Sequence, residues 1–199
     1  MIKLEKILIA CIIIIVFLIG KSILTQEPYQ GNIADPIQIN ITNPEVVYIE
    51  GDDSDFKIEL LAEYSIEAVI KSKKQYSDYS SQIAEYDLAL AWGDLNQSEI
   101  DEHIKYSQRG RWYYFNWDSN SLVSGTYIAE HSSNVHLISE NNRVLEEIKK
   151  LDVNDHIRLV GYLVDVYFEN GTWESSLTRN DTGDGACELM YVTEVIIIE

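Results

Sequence analysis

His131 and His136 bracket a polar run, Ser132-Ser133-Asn134. Paired imidazoles are a common beginning of a zinc site, and Asp181 or Glu188 would supply the oxygen ligands that complete one. The set His131, His136, Asp181 and Glu188 would then serve a metal-assisted hydrolase. The spacing argues against it. Five residues apart on a strand, two side chains face opposite sides; five apart on a helix, they differ by about 140°. Only a turn at 132–134 would join them, so one packed and one exposed histidine is the expectation.

The second candidate lies in SSLTRNDTGDGACELMYVTEV, residues 175–195. Its Asp181-Thr182-Gly183 repeats the triplet that carries the carboxylate of aspartic proteases. Such a site needs two carboxylates sharing a proton, each on a loop fed by an apolar strand. This chain has one triplet, preceded by the polar Thr178-Arg179-Asn180. Asn180, Asp181, Gly183, Asp184 and Gly185 are what a strand connection uses. A turn is expected, with Arg179 and Asp181 available to a ligand at its rim. Cys187 has no histidine beside it in sequence and reads as a buried, inert thiol.

The third candidate is RWYYFNW, 111–117, with Arg109 just before it. Arg109, Arg111, Trp112, Tyr114 and Trp117 form a stacking surface for a ring-bearing or small polar ligand. Strand alternation sends about half of these rings inward, where they are core. No phosphate-cradling glycine loop, nucleophile elbow or paired-cysteine metal motif occurs. No cofactor and no catalysis are therefore expected. Binding of a protein or a small polar ligand is.

Charge narrows the partners. The chain has 33 acidic and 15 basic residues, a net −18. Residues 1–24 hold Lys3, Lys6 and Lys21 against Glu5, which leaves 12 basic and 32 acidic residues in the rest. This balance counts against nucleic acid as a partner, because its binding rests on Lys and Arg neutralising phosphate.

These residues must be carried by something, and the N-terminus says where. ILIACIIIIVFLIG, 7–20, is an unbroken apolar run flanked by Lys6 and Lys21. Fourteen helical residues span about 21 Å against a hydrocarbon core of about 30 Å. Ile23 and Leu24 extend the run if the lysines snorkel. Residues 1–24 are expected to be a signal-anchor, one transmembrane helix held in the bilayer through 7–24. Gly20-Lys21-Ser22 is a poor cleavage site. The positive-inside bias puts the N-terminus in the cytoplasm and the C-terminal domain outside.

Residues 25–55 hold all three prolines, at 28, 36 and 44, and read as a tether, with short strands at 37–42 and 46–50. From 56 to 70 every even-numbered residue is apolar, the period of a long, bent strand. LALAWG (88–93) follows. SEIDEHIKY (98–106) reads as a helix, with Ser98 as its cap and Ile100 and Ile104 on one face. Strand-like pieces occupy 126–138. A second helix covers 141–151, with Val144, Leu145, Ile148 and Leu151 in one stripe. HIRLVGYLVDVYF (156–168) reads as a central strand covered on both faces. Asn170-Gly171 turns it into TWESSLT (172–178), and the last strand is 187–198.

The stretches YDLALAWG (86–93), YSQRGRWYY (106–114), EHSSNVHLI (130–138), DHIRLVGYLVDV (155–166) and 175–195 resemble a family of membrane-anchored bacterial proteins. That resemblance implies a place in the bacterial envelope at the cytoplasmic membrane, and no particular activity. The element order resembles the small Greek-key OB barrel, whose helix lies between its third and fourth strands. The expected fold is α+β and mainly β: one soluble domain, 56–199, an OB-like Greek-key barrel or related open barrel with two short helices.

Overall fold

An apolar residue at every second position from Phe56 to Ile70 is satisfied only by extended backbone. In the computed structural model, which describes residues 28–51, 55–169, 171–178 and 187–198, that run is part of one twenty-residue strand. The strands in chain order are β1 (Ile37–Ile49), β2 (Phe56–Gln75), β3 (Tyr86–Ala91), β4 (Ile104–Arg109), β5 (Trp112–Trp117), β6 (Ser132–Ser139), β7 (His156–Phe168), β8 (Gly171–Trp173) and β9 (Glu188–Ile197). Three short helices join them: α1 (Ser98–Asp101), α2 (Gly125–Glu130) and α3 (Asn142–Lys150). The anchor expected at 1–24 lies outside the described residues. Among those residues no helix is long and apolar enough to cross a membrane.

β2 pairs with β3 and β7 on opposite edges. β3 pairs with β6, β6 with β9, and β9 with β7. These five strands make a ring of pairings that does not close as a barrel. Every pairing in it is antiparallel except β6–β9. α3 links β6 to β7, and its Asn141 cap accepts from Val144 N at 3.1 Å. Val144 and Ile148 of α3, with Leu151 after it, are buried in the main core beside Ile66, Leu90 and Leu159.

The period-two run serves two cores. The β2–β7 register shifts between Leu60 and Ala62. An inserted residue turns everything after it to the other face. Phe56, Ile58 and Leu60 therefore pack with Val164 and Val166 in a second core. Ala62, Tyr64, Ile66 and Ala68 pack with Leu159 and Leu163 in the main one.

Several expectations are corrected. The strands expected at 37–42 and 46–50 within the proline-rich stretch form one strand, β1, which pairs with β2 along its first half, and Ile33 is buried in the core. Pro44 falls where that register shifts, between Asn40 and Glu45, a place where the ladder does not need its missing N–H. The helix expected over 98–106 stops at Asp101, and Ile104 opens β4. The region 126–138 contains α2 before β6, so there are three helices rather than two. β8 ends at Trp173, short of the strand expected to 178.

Gly161 sits at a register shift in β7, where a Cβ would run into the backbone oxygen of Tyr191. Gly171 has open space around the same position. Gly161→Ala is expected to cost about 1–3 kcal/mol by overpacking against a backbone that cannot yield. Gly171→Ala is expected to stay within about 0.5 kcal/mol. Denaturant unfolding of the two variants checks the difference.

Candidate functional site

The aromatic strand belongs to a separate two-stranded sheet, β4–β5. Pairing of Arg109 with Trp112 leaves Gly110 and Arg111 as a two-residue turn. Both have positive φ, 61° and 69°. That is the turn whose twist matches a hairpin. Glycine takes it freely, whereas for arginine the left-handed backbone costs about 1 kcal/mol.

What holds Arg111 there is its side chain. Nη2 and Nε donate to Asp78 at 2.7 and 3.0 Å. Nη1 donates to Asp87 Oδ1 and to the carbonyl of Ala84, both at 2.8 Å. The guanidinium carbon stands 4.1 Å from the centre of the Tyr76 ring and 5.7 Å from that of Trp173. Burial opposes its charge, yet the bonds to Asp78 and the charge on Asp87 hold Arg111 above its ordinary pKa. The same hydrogen bond holds the Asp78 carboxyl below its usual range. Burial pushes the Tyr76 hydroxyl up.

Asp87 is fully buried, in a strand buried at all six positions. Its cross-strand neighbour on β6 is His136, 2% exposed. His136 Nδ1 lies 2.9 Å from Asp87 Oδ1. The distance is that of a hydrogen bond but the direction is not, and both His136 Nδ1 and Asp87 Oδ2 lack a hydrogen-bond partner. The contact is therefore electrostatic and leaves donor and acceptor capacity unused. The Trp173 ring packs 4.7 Å from the imidazole.

The hairpin lies over β6 through polar contacts. Gln108 donates to Asn134 at 2.7 Å, Asn134 to the Arg111 carbonyl at 3.1 Å, and the Tyr113 hydroxyl to the Ser132 carbonyl at 3.1 Å. Burial raises the Tyr113 hydroxyl to about 12 and that of Tyr106 further still. Where the hairpin tip stops and the β7–β8 hairpin begins, a cleft of ≈ 490 Å³ opens. Arg111, Trp112, His136, Phe168, Trp173 and Glu174 line it, with Ser80, Thr172 and Cys187 at its sides. That size suits a small ligand.

The candidates of the sequence are redistributed. Arg111 and Trp112 meet at the cleft. Trp112 and Tyr114 are exposed on the outward face, while Tyr113 and Phe115 turn inward. The Trp117 ring covers Gly125 at the start of α2. Arg109 is exposed on β4. Arg179 and Asp181 lie outside the described residues. His131 stacks on Tyr127 with ring centres 3.9 Å apart, and its Nδ1 lies 2.9 Å from the Tyr127 carbonyl. Glu188 accepts from Ser133. His131, His136 and Glu188 thus have different neighbours, and among the described residues no three metal-ligating side chains come together. Cys187, expected to be a buried thiol, is half-buried and lines the cleft with His136.

Sequence reasoning missed Asp87, Asp78, Tyr76 and Trp173. Asp87 did carry a signal: a lone acid in the apolar YDLALA of a core strand must be answered by a cation. The chain matches no family model, no curated protein and no solved structure, so the site is read from its own geometry.

Two predictions follow from the Arg111 network. Removing one partner of a buried pair strands the other, so Asp87→Ala is expected to cost about 3–5 kcal/mol. Asp87→Ala and Arg111→Ala should then be strongly non-additive in a double-mutant cycle read by urea unfolding. For Asp78 the native carboxyl titrates below its ordinary 3.8. Its contribution is present above that value and is lost as pH falls through the lower, native one. The urea midpoint of the wild type should fall more steeply in that acid range than that of Asp78→Asn.

Proposed function

We propose that this chain is a membrane-tethered, extracytoplasmic binding module that takes a small polar ligand in the Arg111–Trp173 cleft without transforming it. One observation carries the reading: the cleft is lined by the rings of Trp112, Phe168 and Trp173 together with the polar His136 and with Arg111, which four hydrogen bonds hold in place. Fixed polar groups in a concave, ring-lined site bind at a low ordering cost. The scatter of His131, His136 and Glu188 supports binding over metal-assisted hydrolysis.

An OB-like assignment supports the same reading. With β2, β3, β6, β7 and β9 taken as strands one to five, the ring order is 1-2-3-5-4-1. The parallel pair is three with five, and α3 sits between three and four. OB barrels bind on the face of strands two and three and through the loops that join one to two and four to five. Asp87 and His136 lie on strands two and three, and Thr172, Trp173 and Glu174 of the cleft lie between four and five. The lysine-flanked apolar run at 7–20 and the acidic remainder support a single-pass anchor with the domain outside the cytoplasmic membrane.

Thermal denaturation of the full chain in detergent micelles, against a panel of small neutral, cationic and anionic solutes, tests the reading. A binder at a hundred times its Kd should stabilise the protein by about 2.7 kcal/mol and be recovered chemically unchanged. The reading is wrong if no solute raises the midpoint, or if the stabilising solute is recovered as product. Protease added to intact cells should digest the domain; full protection would contradict the outward orientation.

A further inference from the structure

We infer that the ligand of this cleft is a neutral saccharide. The inference rests on the binding reading above and adds the chemical class.

Anions are disfavoured by the charges at the site. Among the described residues Arg111 is the cation that lines the cleft, and it is engaged by Asp78 and Asp87. Four hydrogen bonds already use its donors. Glu174 adds a further negative charge to the lining. A phosphate or carboxylate would enter a net negative field with little donor capacity left to receive it.

Cations are disfavoured by Arg111 itself. A ligand ammonium would seek an aromatic face. The guanidinium already covers Tyr76 at 4.1 Å and stands 5.7 Å from Trp173. A ligand ammonium would have to displace it from those ring faces.

A neutral polyol fits what remains. Its hydroxyls both donate and accept, and its C–H face packs on aromatic rings. Trp112 is 38% exposed and lines one wall, with Trp173 on the other. Beneath them is the independent sign of a missing partner. His136 is 2% exposed, lines the cleft, and has a ring nitrogen with no hydrogen-bond partner. Asp87 Oδ2, buried beside it, is in the same condition. Leaving a buried polar atom unpaired costs more than pairing it gains, so a site lined by this imidazole favours a ligand that carries hydroxyls.

Cys187 supplies the readout, because it lines the same cleft. The rate at which iodoacetamide alkylates Cys187 is measured on the full chain in micelles by peptide-resolved mass spectrometry, which separates it from Cys11. The probes are glucose, galactose, mannose, N-acetylglucosamine and its β-1,4-linked dimer, set against putrescine, choline, acetate and inorganic phosphate. At least one sugar is expected to slow alkylation saturably. Trp112→Ala, an exposed position whose fold is checked by circular dichroism, should need about tenfold more of that sugar for the same protection. If putrescine, choline, acetate or phosphate protects and no sugar does, the saccharide class is overturned while the binding cleft stands. If no probe protects, both are overturned. Equal protection of wild type and Trp112→Ala would also overturn the inference, since the aromatic wall would then have no part in binding.

Discussion

Asp87 is a carboxylate placed where no water reaches, in the middle of a core strand. An ion in that position costs several kcal/mol unless a cation and hydrogen bonds answer it. Arg111 is the answer, and it comes from the tip of a hairpin that begins after two turns and a helix. An electrostatic requirement thereby becomes a positional one. The β4–β5 hairpin has to lie across β3 and β6, because only there does its guanidinium reach both Asp87 and Asp78.

The rest of that interface obeys the same logic. While Ile104, Tyr106 and Phe115 pack in a small apolar core with Leu95 and Ile128, its polar contacts are amide to amide, hydroxyl to carbonyl and guanidinium to carboxylate. Such contacts add modest net stability and strong geometric selectivity, since each is lost by a shift of about an ångström. The left-handed backbone at Arg111 is affordable on these terms: the strain of one residue is small beside the penalty for an unanswered Asp87. The consequence is a hairpin held in one place, with a cleft at its end.

Much of the scaffold was legible in the sequence. The even-numbered apolar run of 56–70 marks β2, the stripe Val144-Leu145-Ile148-Leu151 marks α3, and the continuous apolarity of 156–168 marks a strand paired on both edges. The misreadings have physical causes. Prolines at 36 and 44 suggested a tether, but the first precedes β1 and the second falls in its register shift, so neither interrupts a ladder. Ile100 and Ile104 share a face in a helix, yet both are also buried in one small core when a turn of helix gives way to a strand. The site was legible only in part. Trp112 and Arg111 stood out by type. Asp87, 24 residues from Arg111, and Trp173, on the far hairpin, are joined to them by topology alone, which no local pattern encodes.

The central claim is that one guanidinium, clamped between two carboxylates, fixes the hairpin and so creates the cleft. Nitrogen-15 NMR of the Arg111 side chain reads that clamp directly. Held on both sides, the guanidinium cannot turn freely about its Nε–Cζ bond, so separate, slowly exchanging Nη signals are expected near neutral pH. A single averaged Nη signal, as from an arginine in water, would show that the group is unclamped and would contradict the account.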